Sequence, residues 1–452
     1  GGRKGVAVEY QLITLGFRCL SPLQRWTRSV IGTQGVLFFL FLLALMLCFG
    51  ENTVAQPKVK TGIDVLRGRN FDILRGKRVG LITNPTGVAN DLRATIDVLH
   101  EAPGVRLVAL FGPEHGARGD AEAGKWVENY TDQKTGLPVY SLYGTTRKPT
   151  RDMLRGLDAI IYDIQDIGVR SYTYISTMGY AMEAAAENGV EFIVFDRPNP
   201  LTGNRVEGPM MEDIYKSFVG LYSIPYVYGM TVGELARMVN EEGWLANGIK
   251  CNLTIVPMEG WNRAMWWDDT GLEWIPPSPN IPRSASPMFY VMTGLLGELG
   301  TVNQGVGYTL PFELVGAPWI DAPQFAEYLG KKKLPGVEFR PIYYRIYNDN
   351  STRYNGVQIH VTNRDAINLT AVQLHILSAL YTLFPDRNIY ARARREKIES
   401  FDKIFGSAEI RRELVTYTRV EDMLIKIDQK NEDFLMRREK YLIYPETGKN
   451  ND

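Results

Sequence analysis

Cysteine and histidine are scarce in this chain. Three cysteines occur in 452 residues, and only Cys251 lies beyond residue 55. No disulfide framework is expected, so the fold must be held by its apolar core. The four histidines, His100, His115, His360 and His375, are too scattered to suggest a zinc site. No G-x-G-x-x-G follows a strand, which argues against a dinucleotide. No G-x-S-x-G marks a serine-hydrolase elbow. No cofactor is expected. An excess of one charge is also missing: Lys+Arg and Asp+Glu both number 51, which makes nucleic acid a poor partner.

Long apolar runs are rare as well. The exception is Val36–Phe49, preceded by Arg25 and Arg28. It is shorter than the roughly 20 residues of a membrane span and suits the core of a secretory signal. Thr53-Val54-Ala55 offers small residues for cleavage before Gln56. Residues 1–55 are read as a removed leader, and the mature chain as exported, periplasmic or secreted. The alternatives are a lipoprotein anchored through Cys48 and an uncleaved anchor. Leu45-Met46-Leu47 lacks the small residues that lipidation would want.

Beyond the leader, strand-like runs end repeatedly in polar loops and are followed by helical segments. Arg78–Thr83 leads to Asn84-Pro85-Thr86-Gly87, and Val105–Leu110 to Phe111-Gly112-Pro113-Glu114-His115-Gly116. Leu157–Tyr162 leads to Asp163 and Asp166, and Glu191–Phe195 to Asp196 and Arg197. This rhythm predicts an α/β fold: a parallel sheet with helices on both faces. Helices are predicted near 66–74, 92–100 (capped by Asp91), 149–155, 176–188 and 231–243. Thr231 and Glu234 make a capping box in the last. From 288 to 452 the rhythm loosens into a smaller α+β domain, with 56–287 as the first. Gly294–Gly316 is predicted to be a shaped glycine-rich loop.

In such a sheet, ligands bind at the carboxyl ends of the strands. Glu114 is a candidate general acid there, because a carboxyl partly desolvated in a cleft holds its proton longer. His115 beside it is a candidate base or orienting group. Glycoside hydrolysis commonly pairs such an acid with a second carboxylate, and Asp163, Asp166 and Glu207 are available. Tyr172 and Tyr174 offer aromatic faces for a sugar, and Arg170 a bidentate anion donor. Blander readings are an Asp163 that caps its turn, an Asp166 paired with Arg170, and an Asn199 that serves only the turn between Pro198 and Pro200. A divalent ion at Glu114, Asp163 and Asp166 is a further alternative.

Several motifs together resemble one bacterial family. They are Leu81–Gly87, Phe111–Gly116, Asp163–Tyr174, Asp196-Arg197-Pro198-Asn199-Pro200, Glu207-Gly208-Pro209, Pro277–Pro282 with Asn280, and Pro311–Trp319. The chain is similar to the exo-β-N-acetylmuramidases of the NamZ type, long known as a domain of unknown function. The resemblance implies a Rossmann-like first domain, a smaller second one, and an active site in the cleft between them. It implies release of N-acetylmuramic acid from the non-reducing ends of peptidoglycan fragments, with Glu114 as the catalytic acid. Arg118, Arg170 or Arg197 would then hold the lactyl carboxylate, Arg170 first. Asn84, Asn199, Glu207 and Asn280 are carried as substrate-binding candidates. One stretch departs from the family. Members read E-G-T-N and then G-R-G-T before P-F-E. Here Glu298 to Thr309 lacks the arginine, and Leu299 separates Glu298 from Gly300-Thr301. No role is carried to Glu298. The competing expectations are a peptidoglycan-binding protein without chemistry and a metal-dependent hydrolase.

Overall fold

The computed structural model describes residues 59–119 and 128–446. The expected leader, and the part of the 124–136 excursion before residue 128, lie outside them. All of the described residues fall within one compact unit.

Strands β1 (Arg78–Thr83), β2 (Arg106–Gly112), β3 (Tyr130–Thr131), β4 (Pro138–Ser141), β5 (Ala159–Asp163), β6 (Glu191–Phe195) and β7 (Leu253–Val256) build one sheet. Their order is β3-β4-β2-β1-β5-β6-β7. Every pairing is parallel except that of β3 with β4. Both faces are covered, so the central strands are apolar throughout rather than alternating. Val79, Leu81, Ile161 and Ile193 pack on one face with Ile63, Leu66, Ile96 and Leu99 of helices Gly62–Gly68 and Thr95–Glu101. Ile82, Ile160, Tyr162 and Val194 pack on the other with Ile175, Met178, Leu235 and Val239 of helices Tyr174–Asn188 and Val232–Glu241.

A second, antiparallel sheet follows: β8 (Leu314–Ala317), β9 (Val337–Ile346) and β10 (Asp349–Val361), in the order β8-β10-β9. Helices Ser286–Glu298 and Leu369–Leu383 pack beside it. Ile167, Val169, Leu201, Tyr226 and Val227 reach into the same core from the first part of the chain. The two layers are therefore joined by shared apolar burial. Among the described residues no helix is long and apolar enough to cross a membrane.

The capping box is present: Thr231 Oγ1 accepts from Glu234 N at 3.2 Å, and Thr231 N donates to Glu234 Oε2 at 3.0 Å. Thr231→Ala is expected to cost about 1 kcal/mol, read from a denaturant midpoint. Three local expectations fail. Asp91 does not cap; it pairs with Arg67 at 2.7 Å, and the helix starts at Thr95. The helix expected over 149–155 is absent; residues 151–156 make turns. The glycine-rich stretch from 294 begins inside helix Ser286–Glu298. A Cβ on Gly297 would lie 2.1 Å from the Gln304 amide. That glycine serves close packing on a helix, where the sequence suggested a loop.

Candidate active site

The loop after β2 has a specified path. Gly116 N donates to Pro113 O at 3.0 Å, closing a turn. A Cβ on Gly112 would meet Ala117 N at 2.8 Å. His115 takes the left-handed conformation at φ 74°, followed by Gly116 at φ 77°. A histidine in that region costs about 1 kcal/mol or more, and such strain concentrates at functional sites.

This loop presents Glu114 and His115 to a cleft of about 340 Å³. Ser171, Tyr172, Thr173 and Tyr174, which follow β5, line it beside them. Ser278, Pro279, Asn280 and Ile281 come from the connecting segment. Tyr290 and Glu298 on helix Ser286–Glu298, with Phe312, complete the lining. The cleft thus lies at the carboxyl ends of β2 and β5, with lining from both parts of the chain. Its volume is at the low end of the roughly 300–1,000 Å³ of small-molecule sites. That suits a sugar residue better than a glycan strand.

Aromatic rings run along it edge to face. Tyr172 and Tyr174 are 5.0 Å apart at 84°, Tyr172 and Tyr290 6.2 Å at 79°, and Tyr290 and Phe312 5.1 Å at 79°. The Tyr174 hydroxyl donates to Pro277 O at 2.7 Å, which fixes its ring. Tyr143, just beyond β4, hydrogen-bonds Glu114. Burial first, then the Glu114 charge and that bond, push the Tyr143 hydroxyl up to about 12. Glu298 Oε2 accepts from Ser400 Oγ at 3.0 Å.

Of the residues expected at the site, Glu114, His115, Tyr172, Tyr174 and Asn280 line this cleft. The others are placed elsewhere. Asp163 is fully buried and accepts from Arg197 Nε at 2.5 Å, Arg197 Nη2 at 3.0 Å and Thr95 Oγ1 at 2.5 Å. Asp166 accepts from the Tyr228 hydroxyl at 2.5 Å and Gly168 N at 2.7 Å. The alternative partner Arg170 is instead buried among backbone carbonyls: Pro209 at 2.7 Å, Ile224 at 2.5 Å and Phe405 at 2.7 Å. Burial lowers that guanidinium to about 9. Arg118 is held by Asp132 at 2.6 Å and Asp97 at 2.9 Å. Asn199 bonds Leu201 N and Met230 O, each at 2.9 Å. Glu207 pairs with Arg205 and accepts from Thr370 N at 3.1 Å. Asn84 Oδ1 accepts from Thr86 N at 2.9 Å, and its side chain lies against the Tyr174 hydroxyl, outside the cleft lining. Sheet order does set the ends of β2, β1, β5 and β6 side by side. The polar residues at β1 and β6 brace that rim, while the loops of β2 and β5 reach the cleft.

Tyr143, Ser171, Ser278, Tyr290 and Phe312 were not singled out from the sequence, and Glu298 was given no role because its stretch departs from the family pattern. Tyr143 had a usable signal, since it follows another strand end. Glu298 closes an apolar run, Met288–Leu296, that reads as a helix once Gly294 and Gly297 are set aside. Among the described residues, no group of three or more His, Cys, Asp or Glu is placed to hold a metal ion.

Burial raises Asp166 to about 6, against the hydrogen bonds from Tyr228 and the backbone. A carboxyl raised in the folded state stabilises the fold fully below its unfolded value, near 3.8. That contribution is lost as pH rises through about 6. Asp166→Asn keeps an acceptor but does not titrate. It is expected to flatten the fall in melting temperature between pH 4 and pH 7.

Residues 79–285 match the family described as Exo-beta-N-acetylmuramidase NamZ, N-terminal, and residues 288–444 match its C-terminal counterpart. The chain belongs to the NamZ family. It is 46% identical over 420 residues to the peptidoglycan beta-N-acetylmuramidase NamZ of Bacillus subtilis (strain 168), across 90% of this chain and 99% of that protein. Two crystal structures of DUF1343 family proteins from Bacteroides fragilis NCTC 9343 share the NamZ fold. One has a TM-score of 0.81 at 50% identity, covering 86% of this chain and 99% of its own. The other has a TM-score of 0.67 at 29% identity, with the same coverage of both chains.

Proposed function

We propose that this protein is an exo-acting glycoside hydrolase. It releases N-acetylmuramic acid from the non-reducing ends of peptidoglycan fragments, in cell-wall turnover and recycling. The observation that carries this is the cleft itself, where Glu114 and Glu298 enter from different parts of the chain among tyrosine rings. Hydrolysis of a glycosidic bond commonly uses two carboxyl groups near one sugar. Glu114 is the general acid, oriented by Tyr143. Glu298 is the second carboxylate, a role that Asp163 and Asp166 are too enclosed to fill. Tyr172, Tyr174 and Tyr290 give the sugar apolar faces and hydroxyl partners. The NamZ relative of B. subtilis supports the substrate class. The Val36–Phe49 run supports export to the periplasm or beyond, where murein is met.

The test is turnover of a chromogenic N-acetylmuramic acid glycoside, with and without a chelator. Release of the chromophore in both conditions is expected. Turnover abolished by the chelator and restored by added metal would favour the metal-dependent alternative.

A further inference from the structure

An N-acetylmuramic acid unit differs from N-acetylglucosamine by a lactyl carboxylate, so a site that prefers it needs a donor for that anion. The three arginines that could have supplied one are committed elsewhere. Arg118 faces Asp97 and Asp132, Arg197 faces Asp163, and Arg170 faces backbone carbonyls. Among the described residues lining the cleft there is no lysine or arginine, while two carboxylates are present. An anionic ligand would be repelled unless a strong donor meets it.

One side chain in that lining is unusual. His115 is 8% exposed and its Nδ1 is enclosed without a hydrogen-bond partner. Its ring is carried by a left-handed backbone, φ 74°, that sets it at the cleft beside Glu114. Among the described residues of the lining, His115 is the one side chain that can carry a positive charge. With Nδ1 enclosed, Nε2 is the nitrogen that a bound molecule can meet.

We propose that His115 is the residue that recognises the lactyl carboxylate, through a hydrogen bond from Nε2–H. This rests on the muramidase reading above and makes His115 a determinant of specificity rather than the reacting acid. Neutral imidazole with the proton on Nε2 suffices, and imidazolium donates more strongly. The imidazolium also offsets the repulsion from Glu114 and Glu298.

Two variants separate the ring nitrogens. In His115→Gln the amide nitrogen stands close to where Nε2 stood. In His115→Asn it stands nearer to Nδ1, and asparagine tolerates the left-handed backbone. Each is compared with wild type on two glycosides with one leaving group, one bearing the free lactyl acid and the other its neutral methyl amide. Wild type is expected to prefer the acid in kcat/KM. His115→Asn should shrink that preference about tenfold, chiefly through KM, and His115→Gln should recover part of it. An unchanged preference in both variants would overturn the proposal. So would an equal loss of kcat on both glycosides, which would mark His115 as part of the chemistry. Wild-type enzyme inert toward both glycosides would instead sink the muramidase reading, and this inference with it.

Discussion

Glu114→Gln is expected to lower turnover of a muramic acid glycoside by about 10²–10⁴-fold, the usual contribution of a general acid. The substitution keeps the size of the side chain and an oxygen able to accept from Tyr143, so the loop after β2 should hold its path. What it removes is the proton that the leaving oxygen must receive. The melting temperature should stay near wild type, which distinguishes lost chemistry from lost structure. Wild-type turnover by this variant would remove Glu114 from the mechanism. The cleft would then have to draw its acid from Glu298, the other carboxyl in its lining.

Asp163→Ala is expected to do the opposite. Asp163 is fully buried, and its carboxylate takes two bonds from Arg197 and one from Thr95. Removing it strands a buried guanidinium whose other bond, to Val88 O at 2.9 Å, does not neutralise it. Breaking a buried pair from one side typically costs about 3–5 kcal/mol. The loss should appear as a lower denaturant midpoint, with activity falling only as far as the folded fraction falls. Full stability with abolished turnover would return Asp163 to the site as a reacting group.

The contrast between these two carboxylates shows what the sequence can and cannot convey. Both follow an apolar strand, and period and turn chemistry place both at the carboxyl edge of the sheet. That much is local and was legible, as were the parallel architecture and the cap at Thr231. The partner of each carboxylate was not legible, because it comes from distant chain. Asp163 and Arg197 are 34 residues apart. Arg170 meets Phe405 O across 235 residues. An arginine in an otherwise suggestive motif reads as an anion donor until the fold surrounds it with carbonyls. Glu298 was set aside for its departure from the family pattern, and its helix was hidden by glycines: Gly294 and Gly297 look like loop residues, yet Gly297 is small so that Gln304 can lie against the helix. Tyr143 and Tyr290 had no motif to mark them. They matter because β4 and helix Ser286–Glu298 converge on the loop that β2 presents.

The most direct test of the account is to incubate the protein with a disaccharide bearing N-acetylmuramic acid at its non-reducing end and to identify the sugars by mass spectrometry. Free N-acetylmuramic acid and the remaining sugar should appear in equal amounts, with no product when N-acetylglucosamine occupies the non-reducing end. An intact muramic-acid-terminated disaccharide after prolonged incubation with folded protein would contradict the account.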